Sequence, residues 1–275
     1  MNVNGHVIIT GGLGGLGSAF ADECARRGDD LVLIDRHPDA NQLSEYLHDR
    51  YPVNIRYFPC DLANPEELQQ LINLLRQEEI MFSGLINVVG REFEGEFMER
   101  SIEEINYMLN LNLRVMLNLT YSVLKLRDPA QRFMLINIAS MGGFFPMPYK
   151  AVYASTKRFI INFSLALRKE ISEFGNVTVV CPAGLPTNSE SMKKIFLQGF
   201  WGKLTAQDTE FVVRRALDKV QKNVPIYIPG FSNNLLVWLS HILPENWLAA
   251  YLSRRWGKKQ ESLELWRITE KQRGR

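Results

Sequence analysis

Short apolar runs alternate with longer stretches of helical periodicity along the chain. The runs His6–Thr10 (HVIIT), Asp30–Asp35 (DLVLID), Asn54–Phe58, Gly84–Val89 (GLINVV), 132–139, Asn176–Cys181 and Val224–Ile228 predict seven strands. Helical spacing predicts helices over Ser18–Arg27, about 38–50, from Asn64-Pro65 onward, and over about 102–126, 151–174 and 206–222. In the first helix Phe20, Ala21, Cys24 and Ala25 point inward; in the third, Leu68, Leu71, Ile72 and Leu75 share one face. Strands that alternate with helices and are apolar throughout imply a parallel sheet covered on both faces. The 275 residues, 46% of them hydrophobic, suffice for the core of one such α/β domain. No repeat, low-complexity tract or linker divides the chain, so residues 1–275 read as a single domain.

The first interruption of this pattern is the glycine turn Thr10-Gly-Gly-Leu-Gly-Gly-Leu-Gly17, between the first strand and the first helix. Glycines there permit positive φ and let backbone approach a pyrophosphate, while the helix amino terminus supplies N–H donors. Gly11, Gly15 and Gly17, with Leu16 between the last two, are the expected contacts. Asp35 ends the second strand 18 residues beyond Gly17, where an acid can take the hydroxyls of an adenosine ribose. A carboxylate there repels a 2′-phosphate, so NAD is expected over NADP. Arg36, the next residue, would clasp that phosphate if Asp35 turned away.

The second is the stretch from Ser140 to Lys157. Tyr153 and Lys157 lie four residues apart, one turn from each other on one helix face. Ser140 follows the fifth strand, at the end of a parallel sheet where ligands bind. A free tyrosine titrates near about 10, too high for efficient proton transfer at neutral pH. A lysine ammonium one turn away is expected to lower that value, and the serine hydroxyl to hold the substrate oxygen. Tyr-x-x-x-Lys alone is common; its weight comes from the glycine turn that precedes it.

Together, Thr10-Gly11-x-x-x-Gly15-x-Gly17, Ser140 and Tyr153-x-x-x-Lys157 resemble the short-chain dehydrogenase/reductase family over roughly residues 5–190. The resemblance implies a Rossmann-type doubly wound parallel sheet of about seven strands and a nicotinamide cofactor. It places a catalytic tetrad on Asn112, Ser140, Tyr153 and Lys157, with Asn112 holding a water in a relay from Lys157 and Asn110 as the competing choice. Thr10 belongs to the same motif. Asp61-Leu62 resembles the pair that contacts adenine. Asn87-Val-Val-Gly90 keeps the first and last residues of the family's Asn-Asn-Ala-Gly motif. Thr187, after Pro182 and Gly184, would bond the nicotinamide amide. The implied reaction is hydride transfer between cofactor and a carbonyl or alcohol carbon, with Tyr153 as acid or base.

Substrate and partners are less sharply written. The loop Gly142–Tyr149 is bulky, and the segment 189–204 carries Met192, Ile195, Phe196, Phe200, Trp201 and Leu204 where the family places a substrate lid. Both suggest an apolar, lipid-like carbonyl or alcohol. Ser232–Trp256 is rich in Leu, Ile and Trp, but Pro244, Glu245 and Asn246 leave each half too short to span a bilayer. It can cover the substrate cleft, pack between subunits or lie peripherally on a membrane; a polar tail follows to 275. A net charge of +2 favours no nucleic acid partner. Cys24, Cys60 and Cys181 are widely spaced without CxxC, so neither disulfides nor a metal are expected. The amino terminus lacks a signal-peptide pattern, and a cytoplasmic enzyme is expected. The family resemblance implies pairing into homodimers or homotetramers through the helices near 102–126 and 151–174. The alternative is a non-catalytic dinucleotide-binding redox sensor, which would not need a tetrad.

Overall fold

Residues 5–38, 41–187, 189–197, 202 and 204–257 are described by a computed structural model. Among them, seven parallel strands form one sheet: β1 His6–Thr10, β2 Leu31–Asp35, β3 Ile55–Pro59, β4 Phe82–Asn87, β5 Phe133–Ile138, β6 Gly175–Val180 and β7 Ile226–Tyr227. The helices are α1 Gly15–Arg26, α2 Asn41–Arg50, α3 Pro65–Gln77, α4 Ile102–Leu109, α5 Val115–Lys125, α6 Ala151–Glu170, α7 Ser189–Leu197, α8 Thr209–Gln221, α9 Phe231–Ser240 and α10 over 245–257. The strand order is β3-β2-β1-β4-β5-β6-β7. This is the expected Rossmann-type doubly wound sheet.

Alternation along each strand feeds two cores. Val7, Ile9, Leu31 and Leu33 pack with Phe20 and Cys24 of α1 and Val213 and Leu217 of α8. Ile8, Val32 and Ile34 point the other way, onto Leu71, Ile72 and Leu75 of α3 and Leu119 and Val123 of α5. Each such buried aliphatic side chain contributes about 1.5–3 kcal/mol over an exposed one. The sheet is therefore rigid, and its carboxyl edge is a fixed platform.

Several boundaries differ from expectation for local reasons. α1 begins at Gly15, so two motif glycines lie inside its first turn. β7 is cut to two residues: Pro225 lacks an N–H, and its carbonyl accepts from Val179 at 3.0 Å. The helical stretch expected over 102–126 is broken by a π-helical turn at Asn110–Arg114, where the Val115 amide reaches back to the Asn110 carbonyl. The extra residue of that turn re-aims the side chains beside it, and Asn112 is buried.

β1 and β4 are neighbours, yet the chain leaves them toward opposite edges of the sheet. Such a switch point opens a crevice at the carboxyl ends of the two strands.

Candidate active site

A groove of about 1100 Å³ lies at the switch point. Of the residues expected to hold a cofactor, Gly11, Gly15, Leu16, Gly17, Asp35, Arg36, Asp61, Leu62, Gly90 and Thr187 line it. Gly11 has φ +66°, a conformation that favours glycine. A Cβ at Gly17 would collide with the Gly11 carbonyl oxygen, and one at Gly15 with the Thr187 carbonyl oxygen. The α1 amino terminus has no side-chain cap, and Gly14, Gly15, Leu16 and Gly17 at that end line the groove, where an anion would find uncapped amides. Asp35 accepts from the amides of Leu13 at 3.1 Å and His37 at 3.3 Å, which fastens the glycine turn to the end of β2. Asp61 accepts from Ala63 N at 3.0 Å. This donor set and this shape fit a dinucleotide.

Thr10 and Asn87 stand behind the groove instead of lining it. The Thr10 hydroxyl accepts from the amides of Val88 and Val89 at 3.0 and 3.2 Å. Asn87 donates to Thr120 Oγ1 and Asn137 Oδ1 at 3.1 and 2.8 Å. Both are expected to touch cofactor; instead Thr10 fixes the backbone after β4, and Asn87 ties β4 to side chains on α5 and β5, since buried polar groups need partners. Val88 and Val89 line the groove in the place of the family motif's amide and small residue.

The four tetrad positions form one connected group next to Gly90, and none of the four lines the groove itself. Lys157 Nζ donates to the Ile138 carbonyl at 3.0 Å and lies 5.7 Å from the centre of the Tyr153 ring. Asn112 accepts from Arg91 N at 2.7 Å and donates to Arg91 O at 3.0 Å and Thr156 Oγ1 at 3.1 Å. A Cβ at Gly90 would stand 3.2 Å from Asn112 Oδ1 and 3.4 Å from Lys157 Nζ, so both lie directly behind this groove-lining residue. Asn110, the competing choice, is aimed elsewhere: it donates to the Ala63 carbonyl at 2.8 Å. Ser140 accepts from Gly142 N at 3.1 Å.

Protonation corrects the sequence reading. Burial pushes the Tyr153 phenol well above its ordinary value; the Glu92 charge adds to this, and hydrogen bonding with Ser140 opposes it. Burial also lowers Lys157 to about 8, against the pull of Glu92. The expected depression of Tyr153 by Lys157 does not hold here, because burial of the phenol, with the charge of Glu92 added, sets the direction.

Ser140 and Tyr153 also line a second space of about 670 Å³, bounded by Phe145, Met147, Leu185 and Ile195 and roofed by α9 and α10. Of the lid segment, Ser191 and Ile195 face it, whereas Met192, Phe196 and Leu204 are exposed. Phe200, Trp201 and the tail 258–275 lie outside the described residues. The alternatives left open for Ser232–Trp256 narrow accordingly: Leu236, Leu239, Leu248, Leu252 and Trp256 cover the cleft.

One polar cluster in this cavity went unread in the sequence. Lys150 pairs with Glu92, and with Glu94 at 3.3 Å, and its Nζ sits over the Trp256 ring. Burial alone would lower Lys150, but the two carboxylates outweigh it and hold the amine above its ordinary value. Next to it, Tyr149 takes φ +64°, and its carbonyl accepts from Gly95 N at 2.8 Å. The only sequence signal was a pair of glutamates, Glu92 and Glu94, just after the fourth strand.

The groove and sheet define a dinucleotide-binding fold. A sequence model of the short chain dehydrogenase family matches residues 5–197, and the chain belongs to that family. It is 30% identical over 175 residues to a mouse (Mus musculus) very-long-chain 3-oxoacyl-CoA reductase, covering 61% of this chain and 55% of the relative. The chain thus spans little more than half of that relative's length. A short-chain dehydrogenase from Sphingobium yanoikuyae, solved in complex with NADPH, superposes with TM-score 0.70 at 25% identity, covering 88% of this chain and 97% of that one. A 7beta-hydroxysteroid dehydrogenase shares the fold at TM-score 0.79 and 22% identity, over 92% of this chain and all of its own.

Proposed function

We propose that the protein is an NAD(P)-dependent oxidoreductase that interconverts a carbonyl and an alcohol on an apolar, lipid-like substrate, with NAD(H) preferred. One observation carries this reading: Tyr153 stands in the wall of the apolar cavity, while Lys157, one turn along the same helix, lies directly behind Gly90 in the wall of the dinucleotide groove.

A nicotinamide dinucleotide supplies or accepts the hydride when bound. The glycine turn and the α1 amides hold its pyrophosphate, Asp35 its adenosine ribose, Asp61 and Leu62 its adenine, and Thr187 its carboxamide. Lys157 takes the nicotinamide ribose. Ser140 holds and polarises the substrate oxygen, and Tyr153 gives it a proton in reduction or takes one in oxidation. A high-lying phenol keeps its proton at neutral pH and so starts as the acid. Asn112, fixed by three hydrogen bonds, positions the water through which Lys157 returns a proton from solvent.

The substrate class is supported by the cavity's largely aliphatic and aromatic lining and by relatives whose names specify very-long-chain acyl substrates. Exposed Tyr121 on α5 and Phe159 on α6 provide a face for pairing of copies. The test is a panel of steroid, long-chain acyl and small polar carbonyls, each with NADH and NADPH, followed by nicotinamide absorbance. Turnover of the bulky apolar members is expected. A strong preference for small polar carbonyls overturns the substrate class, and dinucleotide binding without any turnover points to the sensor.

A further inference from the structure

The helices over the cavity are apolar on two faces. Toward the cavity α9 presents Leu236 and Leu239, and α10 presents Leu248 and Leu252. Away from it, Phe231, Leu235 and Trp238 follow at steps of four and three, one stripe of α9, and Ile242 lies in the turn after the helix. They are exposed at 86%, 45%, 60% and 62%. Trp247 and Tyr251, one turn apart on α10, belong to both faces: they line the cavity and are still exposed at 73% and 54%. The apolar patch and the mouth of the cavity are therefore continuous.

Charge in this segment has one sign in excess. From Phe231 to Gly257 a single carboxylate, Glu245, stands against Arg254 and Arg255, and the sequence continues with Lys258 and Lys259. Tryptophan and tyrosine beside basic residues suit the boundary between acyl chains and anionic headgroups. Among the described residues, no helix is long and apolar enough to cross a membrane.

We propose that α9 and α10 dock side-on onto an anionic lipid surface, so that an apolar substrate passes from the bilayer into the cavity without entering water. This rests on the reading of the cavity as the site of an apolar carbonyl. A second copy of the chain on the same stripe would close the mouth that the substrate must use, whereas a fluid lipid surface leaves it open.

The experiment uses the full chain with phosphatidylcholine vesicles, with and without phosphatidylserine, read by co-sedimentation and by the shift of tryptophan emission. The variant is Phe231→Ser/Trp238→Ser, whose residues do not line the cavity. Wild type is expected to partition onto vesicles, more strongly with phosphatidylserine, and the variant more than about tenfold less. The variant should reduce a soluble short-chain carbonyl as wild type does, yet lose rate on a vesicle-borne substrate. Absence of vesicle binding while the soluble carbonyl is still turned over overturns the docking and leaves the oxidoreductase reading standing. Vesicle binding without turnover of any carbonyl does the reverse. Equal partitioning of the two proteins overturns the docking, and so does self-association lost in the variant without vesicle binding, which assigns the stripe to a second copy.

Discussion

The ammonium of Lys150 lies 4.5 Å from the centre of the Trp256 ring, and through this contact the roof of the cavity is joined to the start of the helix that carries Tyr153. The same ammonium pairs with Glu92 and Glu94 on the loop after β4, so three separate segments meet on one buried side chain. Removing one partner of such a buried cluster leaves charges without compensation, which costs about 3–5 kcal/mol. Lys150→Met is therefore expected to lower thermal stability and to raise KM for a bulky carbonyl about tenfold. Dinucleotide affinity should not change, and Lys150→Arg should recover most of the loss. Unchanged KM and melting temperature in Lys150→Met would show that the roof is held elsewhere.

Tyr153→Phe keeps the ring and removes only the hydroxyl. Turnover should fall by about 10²–10⁴, while titration with the dinucleotide gives a near-normal Kd. Near-normal turnover would rule out this phenol as the proton donor.

Lys157 provides a pH signature of its burial. Its amine titrates at about 8 in the fold against an ordinary 10.5, so between those values the unfolded chain binds the extra proton and stability rises with pH. Below pH 8 both states carry the charge, and the full desolvation penalty remains. Buried Cys60, raised to about 12 by burial, acts in the opposite sense above its ordinary 9. The contribution of Lys157 is therefore read as a difference from Lys157→Met. Denaturant titrations at several pH values should show wild type gaining on the variant as pH rises from 8 toward 10.5. A constant difference would mean that Lys157 is hydrated in the fold. On the functional side, Lys157→Ala should impair both turnover and dinucleotide binding.

Asp35 bears on cofactor choice. Its carboxylate lines the groove beside Arg36, and repulsion of a 2′-phosphate there corresponds to about 1–3 kcal/mol, or roughly tenfold to a hundredfold in kcat/KM. NADH should be preferred by that factor, and Asp35→Ser should erase the preference. A clear preference of wild type for NADPH would show that Arg36 dominates.

The five inner strands were legible because strands buried on both faces are largely continuous apolar runs, and Val7 to Ile9 or Leu31 to Ile34 cannot be mistaken for a surface. The glycine turn was legible for the same local reason. The start of α1 was not, since Gly15 and Gly17 are poor helix formers placed inside a helix by the packing of the turn. Nor was the π-helical turn, because Asn110–Arg114 keeps the apolar spacing of the helices on either side. The protonation of Tyr153 was beyond the sequence in principle: its environment includes Glu92, far away in the chain, and a cavity closed by residues past 231. Composition marked 189–204 as apolar but not which side chains turn inward: Ile195 and Ser191 meet the cavity, while Met192 and Phe196 are exposed.

The family match stops at residue 197, whereas the cover over the cavity begins beyond 230. The walls Phe145, Met147, Leu185 and Ile195 thus fall inside the matched stretch, and the roof of α9 and α10 falls beyond it. Exchanging that roof for another would reshape the space above Tyr153 while every residue lining the dinucleotide groove, none later than Thr187, stays as it is.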